Sequence, residues 1–311
     1  HGRDRRQRQM CIRDSNISCG FDVLGLCLDS VGDEMIIKKT IKKGITISKV
    51  IGQELPLDPN KNVAGVAANA LLKNITIDFG FDIVIIKNIK PGSGIGSSAA
   101  SSAGAVFGIN EILGKPFSLK ELIPFAMEGE KLASGSAHAD NVAPAILGGF
   151  TLIRSYEPLE VIKIHTPKEL YATIIHPQIE IKTIDSRSVV KKEVPLQTAV
   201  KQLGNLGGLI SGLYTEDYNL IGNSLHDEIA EPYRSILIPE FENIKKECIK
   251  NGALGSGISG SGPSIFALCR GKENAEKVSR GMKQVYNKTA IAFDIHVSKI
   301  NERGIKILET K

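Results

Sequence analysis

The order of apolar and polar positions along the chain predicts short strands that alternate with helices. Residues 34–50 are rich in β-branched side chains and partly alternate in polarity, which predicts two strands joined by a turn. Residues 62–73 carry apolar side chains at helical spacing, whereas FDIVIIK at 81–87 is a largely apolar run typical of a strand. A stretch of very small side chains at 97–113 predicts a second helix, which ends where glycine and proline follow.

The rest of the chain continues this alternation. Ser118 and Glu121 fit a capping box, which predicts a helix that runs to about residue 132. Further strands are predicted at 150–155, 160–165, 170–176, 263–269, 290–297 and 305–309. Further helices are predicted from about residue 142 and at 196–214, 217–226 and 239–251. No internal repeat of fixed period is found, and we place a domain boundary near residue 165, which gives domains at 16–165 and 166–311.

The composition is that of a folded globular protein. The chain has 311 residues, of which 42% are hydrophobic and 23% are charged, and this length is typical of roughly two domains. Its net charge is +5, but residues 1–15 alone carry +3, so the remaining body is only about +2. That weak charge and the absence of tryptophan argue against nucleic acid as a partner. Residues 1–15 show neither helical nor strand periodicity, and we interpret them as a tag or assembly scar rather than a disordered basic arm.

The cysteines and the apolar runs give information about the cellular location of the protein. The five cysteines show no C-x-x-C spacing, which favours free thiols in a reducing compartment over a disulfide framework. No apolar run approaches the roughly 20 residues that a membrane-spanning helix needs, and no signal peptide is recognisable. We therefore expect a soluble cytoplasmic protein without a membrane partner.

The most informative local pattern is a predicted strand, then PGSGIGSS at 91–98, then a helix. Three glycines allow backbone N–H groups to turn toward one point, where the helix N-terminus adds about half a positive charge. These features predict an anion site, for which phosphate is the usual occupant. Ser97 and Ser98 add hydroxyls suited to a phosphate oxygen or to Mg²⁺. The alternative is a well-capped glycine-rich connection, and the pattern lacks the G-x-x-x-x-G-K-[ST] sequence of a P-loop.

A second glycine cluster occupies residues 252–263. Gly255, Gly257 and Gly260 satisfy the G-x-G-x-x-G pattern of dinucleotide-binding proteins. The pattern here follows a predicted helix and precedes a predicted strand, which is the reverse of the order that dinucleotide binding requires. We interpret the cluster instead as a loop that closely approaches the first glycine loop.

Several carboxylates and amides are candidates for ligand contacts. Glu130 suits Mg²⁺, which takes one or two carboxylates together with phosphates and waters, and its alternative is a solvated surface position. Asp140 and Asn141 follow in a polar loop, where the alternative role is to cap a helix that begins near residue 142. Asp22 lies in the apolar segment GFDVLGL and needs a partner or a ligand, because an unpaired buried charge is costly.

Two arginines and a histidine complete the set of candidates. Arg187 and Arg234 are suited to a substrate carboxylate, because a guanidinium binds a carboxylate through two parallel hydrogen bonds. A surface position is the alternative for either arginine. His138 is as suited to a packed, hydrogen-bonded position as to a ligand contact.

Three segments together resemble the motifs of the GHMP kinases, a superfamily that binds ATP with a glycine loop and a helix. They are NISCGFDVLG at 16–25, the loop and helix start at 91–102, and GALGSGISGSGP at 252–263. SGSAHADNVAP at 134–144 and AEPYR at 230–234 narrow the resemblance to members that act on homoserine. The resemblance runs from about residue 16 to the C-terminus, and the family's first strand is replaced here by the arginine-rich segment.

The resemblance implies an α+β fold of two domains, an S5 domain 2-like N-terminal domain and a ferredoxin-like C-terminal domain. It implies ATP and Mg²⁺ as cofactors, L-homoserine as the small-molecule substrate, and a homodimer. The implied ATP-binding residues are Pro91, Gly92, Ser93, Gly94, Ile95, Gly96, Ser97, Ser98, Ala99, Ala100 and Ser101. The implied substrate-binding residues are Asn16, Asp22, His138, Asp140, Thr183, Arg187 and Arg234. Ser98 and Glu130 would hold the Mg²⁺, and Asn141 and Arg187 would be catalytic.

The implied reaction is transfer of the ATP γ-phosphoryl group to the side-chain hydroxyl of L-homoserine, a step of threonine biosynthesis. Asn141, the residue expected nearest that hydroxyl, cannot act as a base, so we expect no strong general-base catalysis. Two alternatives are another GHMP kinase of the mevalonate or sugar type, and a catalytically inactive nucleotide-binding module.

Overall fold

The computed structural model describes residues 12–15, 17–30, 32–181 and 183–308. Its strands are β1 Ile12–Ser15, β2 Leu24–Leu28, β3 Glu34–Thr40, β4 Gly44–Ile51, β5 Gly80–Ile86, β6 Phe150–Tyr156, β7 Leu159–Ile164, β8 Leu170–Pro177, β9 Gly255–Ile258, β10 Ile265–Arg270 and β11 Phe293–Lys299. Its α-helices are α1 Val63–Leu72, α2 Ser97–Ile112, α3 Leu119–Ser134, α4 Ala139–Leu147, α5 Thr183–Ser188, α6 Leu196–Thr215, α7 Tyr218–Asn223, α8 Glu231–Arg234, α9 Phe241–Lys250 and α10 Lys272–Tyr286.

Most of the predicted elements are confirmed. Residues 34–50 hold two strands, β3 and β4, and the helices predicted at 62–73 and 97–113 are α1 and α2. The capping box at the start of α3 is also confirmed, because Ser118 accepts from the Glu121 backbone and Glu121 accepts from the Ser118 backbone. Helices α5, α8 and α10 and strands β1, β2 and β9 were not predicted. The strand predicted at 305–309 is wrong for its described part, 305–308, which has no regular structure.

Residues 12–15 belong to the segment interpreted above as a tag or assembly scar, yet they form strand β1. Strand β1 pairs antiparallel with β2, with Ile12 opposite Leu28 and Ser15 opposite Gly25. All of β2 is buried, and its open edge would leave backbone N–H and C=O groups without partners. Backbone pairing places little demand on side-chain type, so the polar sequence of β1 still serves as an edge strand.

The N-terminal half builds two sheets around a group of four helices. One sheet has the order β1-β2-β6-β7 and the other the order β3-β5-β4, in which β4 and β5 are parallel and connected by α1. Helix α2 lies among α1, α3 and α4, and nearly all its residues are buried. Helix α2 can occupy this central position because its alanine, serine and glycine residues are small, which lets neighbouring helices approach closely.

The C-terminal half forms one antiparallel sheet in the order β11-β8-β10-β9. Numbered by position in the chain, these four strands lie in the order 4-1-3-2, with helices connecting the first strand to the second and the third to the fourth. This is the ferredoxin-like topology, so that prediction is confirmed. Helices α9 and α10 cover one face of the sheet and form a core with residues such as Ile244, Val278 and Met282.

The two halves share a hydrophobic core. Leu24, Leu26 and Phe150 of the N-terminal sheet pack in one cluster with Ile174 and Phe266 of the C-terminal sheet. A large apolar contact of this kind disfavours independent domain motion. Among the described helices, none combines the length and apolar character needed to cross a membrane.

Candidate active site

A cleft of about 290 Å³ lies between the glycine loop and the loops of the C-terminal half. Most of the predicted site residues line it: Pro91, Gly92, Ser93, Gly94, Gly96, Ser97, Ser98, Ser101, Glu130, His138, Asn141, Arg187 and Arg234. Six further residues that sequence reasoning did not single out also line it: Leu55, Val63, Lys87, Ala133, Ser134 and Ser261. The cleft therefore joins the predicted anion site to the predicted substrate residues.

The glycine loop takes a backbone path that side chains would oppose. Gly92, Gly94 and Gly96 have φ values of 73°, 76° and 64°, in the left-handed region that favours glycine. A Cβ on Gly94 would lie 2.5 Å from the Ser259 carbonyl oxygen and 2.6 Å from that of Gly262. Position 94 therefore combines an unusual φ with a close approach of two backbones.

The second glycine cluster holds the first loop in place. Ser259 Oγ donates to the Gly94 carbonyl at 2.7 Å, and Ser264 Oγ donates to the Ser93 carbonyl at 2.6 Å. The Ser264 N–H donates to the same Ser93 oxygen at 3.3 Å. The expectation that residues 252–263 closely approach the first loop is confirmed.

The start of α2 divides its residues between the cleft and the core. Ser98 lines the cleft, and it belongs to the first turn of a helix, where backbone N–H groups have no intrahelical acceptor. Ser97 also lines it, but its Oγ donates to the Ile89 carbonyl at 3.0 Å. The side chains of Ile95, Ala99 and Ala100 pack in the hydrophobic cores and do not line the cleft, because alternate faces of loop and helix are buried.

A buried ion pair beneath the glycine loop was not predicted. Lys87 follows β5, and its ammonium forms an ion pair with Asp33, both side chains being almost fully buried. Lys87 Nζ also donates to the Ser97 carbonyl at 2.9 Å and to Ser101 Oγ at 3.1 Å. Asp33 in turn accepts from the N–H groups of residues 88 and 89. The sequence held a signal for this pair: Lys87, like Asp22, is a charged residue next to an apolar segment, and such a residue needs a partner.

Glu130 reaches the cleft because α3 packs tightly on its neighbours. A Cβ on Gly129 would lie 2.1 Å from Ser102 Oγ and 2.6 Å from the Val63 carbonyl oxygen, so this contact with α1 and α2 requires glycine. Glu130 and Ser98 thus face one cleft, and a carboxylate with a hydroxyl is a donor set of hard oxygens that fits Mg²⁺. Among the described residues no group of three or more His, Cys, Asp or Glu is arranged to hold a metal.

Asp22 and Arg187 form an ion pair beside the cleft. Arg187 Nη2 donates to Asp22 Oδ1 at 2.9 Å, and Nη1 donates to Oδ2 at 3.3 Å. Asp22 thus has the partner that its apolar surroundings required. Arg187 Nε is buried and donates to no atom of the residues described. One guanidinium donor at the cleft therefore remains for a ligand.

Arg234 joins three elements at the far side of the cleft. Its guanidinium donates to the Ser186 carbonyl at 3.0 Å and to the Gly260 carbonyl at 3.1 Å, and it lies 5.0 Å from the centre of the Phe21 ring. Burial lowers the pKa of Arg234 to about 10, so the side chain remains charged at neutral pH. The surface position considered for this arginine is ruled out, since it is 3% exposed.

The first turn of α4 presents His138, Asp140 and Asn141. The helix begins at Ala139 rather than near residue 142, so Asp140 and Asn141 lie inside it and are not its caps. The packing of β2 explains this position, since a Cβ on Gly25 would lie 2.0 Å from the Asp140 carbonyl oxygen. His138 and Asn141 line the cleft, whereas Asp140 is fully buried behind them.

Burial sets the charge state of this turn. Desolvation, and next the charge of Asp22, raise the pKa of Asp140 to about 7. Desolvation and the Arg187 charge lower the pKa of His138, which favours its neutral form. Asp140 Oδ1 and His138 Nε2 are buried atoms without a hydrogen-bond partner in the described part of the chain. Buried polar atoms of this kind are uncommon in proteins and are typical of ligand-binding sites.

Two predicted substrate residues are only partly placed. Asn16 lies outside the described residues. Thr183 begins α5, the short helix that also carries Arg187, and its side chain lies outside the described part.

The comparisons with known proteins define the class. Residues 62–149 match the family described as GHMP kinases N terminal domain, and residues 199–288 match GHMP kinases C terminal. The chain belongs to the GHMP kinase family, so it is an ATP-dependent kinase.

Its relatives narrow the class further. A homoserine kinase of Chlorobaculum tepidum is 45% identical over 95% of both chains, and one of Chlorobium phaeobacteroides is 47% identical over 94% of this chain and 96% of its own. The crystal structure of a homoserine kinase from Cytophaga hutchinsonii matches with a TM-score of 0.95 and 46% identity over 99% of this chain and 98% of its own. Within the GHMP kinases, the chain belongs with the homoserine kinases. A mevalonate kinase from L. major, at 17% identity and a TM-score of 0.70, shares the fold alone.

Replacing Lys87 by methionine should destabilise the protein strongly. The change leaves the Asp33 carboxylate buried without its ammonium, which costs about 3–5 kcal/mol in free energy of unfolding. Denaturant unfolding measures this loss. The matched control is Lys90→Met, because Lys90 donates to Gln178 at an exposed position and its loss should change stability by about 0.5 kcal/mol or less. Equal effects of the two changes would contradict the role given to the ion pair.

The buried carboxyl of Asp140 should make stability depend on pH. Its folded pKa of about 7 lies above the ordinary value of 3.8, so protonation stabilises the folded state. This contribution is complete below pH 3.8 and is lost as the pH rises through 7. From about pH 5 to pH 8 the free energy of unfolding should fall by on the order of 2–3 kcal/mol through this group, as denaturant titrations at each pH would measure.

The control for that titration is a variant at a solvent-exposed carboxylate. Asp140→Asn should remove this component of the pH dependence, whereas Asp78→Asn, at an exposed position, should retain it. A titration curve that is unchanged in Asp140→Asn would show that the group does not titrate in this range.

Proposed function

We propose that the chain transfers the γ-phosphoryl group of ATP to the side-chain hydroxyl of L-homoserine, forming O-phospho-L-homoserine and ADP. The observation that carries the proposal is the meeting, in one cleft, of the glycine loop with the ion pair Asp22–Arg187 and the turn 138–141. The names of the relatives, which are homoserine kinases over nearly their whole length, support the same substrate.

The nucleotide phosphates would bind at the loop 91–98 and the start of α2. Backbone N–H groups and the helix dipole favour negative charge there, and Lys87, whose charge is balanced by Asp33, fixes the same turn by donating to the Ser97 carbonyl. Leu55, Val63 and Ala133 are the apolar members of the cleft lining, and apolar walls suit the flat face of a base. Ile95, Ala99 and Ala100, which the family resemblance also implies, would shape the loop and the start of α2, because their side chains pack in the hydrophobic cores.

Ser98 and Glu130 would hold Mg²⁺ between them and the phosphates. When bound, the ion would neutralise charge on the phosphoryl group as it transfers. Both residues line the cleft, and oxygen donors are what the ion prefers. Glu130 is 4% exposed, a position where a carboxylate benefits from a nearby cation.

The amino acid would bind at the opposite end of the cleft. Asp22 and Arg187 present a carboxylate and a guanidinium 2.9 Å apart, which complements an ammonium and a carboxylate carried on one carbon atom. Arg187 Nε and His138 Nε2 are the buried atoms left to bind the substrate. Arg234 holds α5 against the second glycine cluster and adds positive charge for the substrate carboxylate.

Positioning and charge, rather than a strong base, would drive the reaction. Asn141 lines the cleft and would bond the hydroxyl, but an amide does not accept a proton at neutral pH. Phosphoryl transfer requires chiefly alignment and neutralisation of charge, which the loop amides and the dipole of α2 would supply in this chain. Asp140 does not line the cleft, so it acts on the substrate only through the neighbouring side chains.

The two alternatives make different demands on the cleft. A mevalonate or sugar has no ammonium group, so it gives no reason for a buried carboxyl and an acid–guanidinium pair at this position. The presence of both Glu130 and Ser98 in the lining of the cleft argues against an inactive nucleotide-binding module. The homodimer and a cytoplasmic location also belong to this proposal, and the buried thiols Cys19, Cys248 and Cys269, which form no disulfide among the described residues, are typical of a reducing compartment.

A substrate panel tests the proposal. ADP formation should be fast with L-homoserine, slow with L-threonine, and absent with mevalonate and galactose. Arg187→Lys keeps the charge but loses the two-pronged geometry, so KM for L-homoserine should rise about tenfold while KM for ATP stays unchanged. Arg154→Lys, at an exposed pair with Glu160, is the matched control. ATP binding without turnover on any of these alcohols would favour the inactive module instead.

Removal of the Ser98 hydroxyl should change the response to Mg²⁺. In Ser98→Ala the Mg²⁺ concentration for half-maximal activity should rise several-fold, about 1 kcal/mol of lost coordination, and excess Mg²⁺ should restore most of the turnover. Titration of Mg²⁺ at fixed ATP measures this shift. Ser136→Ala, in the exposed loop after α3, is the control. Identical Mg²⁺ curves for Ser98→Ala and the unsubstituted chain would contradict the metal role.

A further inference from the structure

Gln202 is a buried residue of α6 whose side-chain amide bonds two segments that lead to the predicted substrate residues, although it is not part of the cleft lining. Its Nε2 donates to the Cys19 carbonyl at 2.9 Å and to Asp227 Oδ1 at 3.2 Å. Its Oε1 accepts from the Glu228 N–H at 2.8 Å. Both N–H groups and the oxygen of the amide are therefore in use, as a buried polar group requires.

The first of these segments leads to Asp22. Cys19 belongs to the 3₁₀ turn Ser18–Gly20, and Asp22 follows this turn with a φ of 57°. A residue other than glycine adopts this left-handed conformation only where its surroundings hold it there. The direction of the Asp22 carboxylate therefore depends on what fixes the turn before it, and the bond from Gln202 to the Cys19 carbonyl is one such restraint.

The second segment leads to Arg234. Asp227 accepts from three successive N–H groups, those of residues 229–231, at 2.8, 3.0 and 2.9 Å, so one carboxylate fixes the start of α8. This helix has four residues, too few to be stable without such bonds, and Arg234 is its last residue. Because Gln202 bonds Asp227, the position of Arg234 is set relative to α6.

The two segments meet again at the cleft. The Arg234 guanidinium lies 5.0 Å from the centre of the Phe21 ring, and Phe21 precedes Asp22 in the chain. Burial lowers the pKa of Arg234 and the negative charge of Asp22 raises it, so the two charged groups act on each other. A substrate with an ammonium and a carboxylate on one carbon atom requires a fixed separation between the groups that bind them.

We propose that Gln202 is a positioning residue that fixes the separation between Asp22 and Arg234, and that it thereby favours a substrate with both an ammonium and a carboxylate. This inference rests on the proposed function, since it takes L-homoserine as the substrate. Gln202 acts through the backbone of the turn 18–20 and through Asp227, and it does not touch the substrate.

The first experiment compares the two substrates. In Gln202→Met the KM for L-homoserine should rise about tenfold, because the two charged residues lose their fixed separation, whereas the KM for ATP should stay within about twofold. Assays of ADP formation measure both constants, and thermal unfolding verifies that each variant folds. Gln202→Glu keeps the side-chain length and the acceptor for the Glu228 N–H but loses both donors. It should show the same pattern, and it replaces the methionine variant if that variant does not fold.

Asn205→Leu is the matched control. The Asn205 amide also joins α6 to the loop before α8, because it donates to the His226 carbonyl at 3.0 Å, but among the described residues it bonds neither Asp227 nor the turn 18–20. Its loss should leave the KM for L-homoserine within about twofold. A rise equal to that of Gln202→Met would show that any attachment of this loop to α6 has the same effect, and it would overturn the proposal.

The second experiment separates a change in spacing from general damage to the site. Two alcohols are tested as competitive inhibitors against L-homoserine: n-propanolamine carries only the ammonium, and γ-hydroxybutyrate carries only the carboxylate. In Gln202→Met both inhibition constants should stay within about twofold of those of the unsubstituted chain, because a ligand with one charged end can shift to follow that end.

Three outcomes would contradict the inference in different ways. Inhibition constants that rise as much as the KM for L-homoserine would show a general structural role for Gln202 and overturn the proposal. An unchanged KM for L-homoserine in Gln202→Met would overturn it while leaving the proposed function intact. Failure of the unsubstituted chain to turn over L-homoserine would overturn the proposed function, and this inference with it.

Discussion

The site depends on how the carbonyl groups of the glycine loop are bonded. A loop that binds an anion directs N–H groups toward the ligand, and its carbonyl oxygens then need donors on the other side. Ser264 and Ser259 of the C-terminal half bond the carbonyls of Ser93 and Gly94, and Ser97 bonds that of Ile89. The two domains therefore complete one loop between them, and their shared apolar core keeps the donors in register.

The cleft and its base contain two ion pairs that differ in exposure to a ligand. Lys87 with Asp33 and Arg187 with Asp22 each join a cation to a carboxylate, while Asp140 is buried deeply enough to favour its neutral form. The first pair is almost fully buried and binds the backbone, which suits a fixed structural role. The second is partly exposed at the cleft, so a zwitterion can approach it without unfolding the site. The two ion pairs have similar chemistry, and their different degrees of burial give them different functions.

Sequence reasoning found the parts of the site whose signal is local. The glycine loop, the capping box of α3 and the turn 138–141 are contiguous patterns, and the structure brings the residues of these patterns into one cleft or one helix start. Lys87 and Asp33 are 54 positions apart in the chain, so no single segment of the sequence predicts their pairing. Strand β9 is GSGI, which has little of the β-branched character that predicts strands, and it forms because β10 offers an edge. Helix α10 is a different case, since Ala275, Val278 and Met282 follow helical spacing and the pattern was available in the sequence.

The glycines of this protein differ in whether a neighbouring atom requires the absence of a side chain. Gly94 and Gly129 are required by neighbours, because a Cβ at either position would lie within 2.6 Å of another atom. Gly204 and Gly207 have no such neighbour, although they lie in the middle of a long helix where glycine is unfavourable. Glycine therefore has two different meanings in this chain: at positions 94 and 129 it permits a close contact that any side chain would prevent, whereas at 204 and 207 it permits none among the described residues.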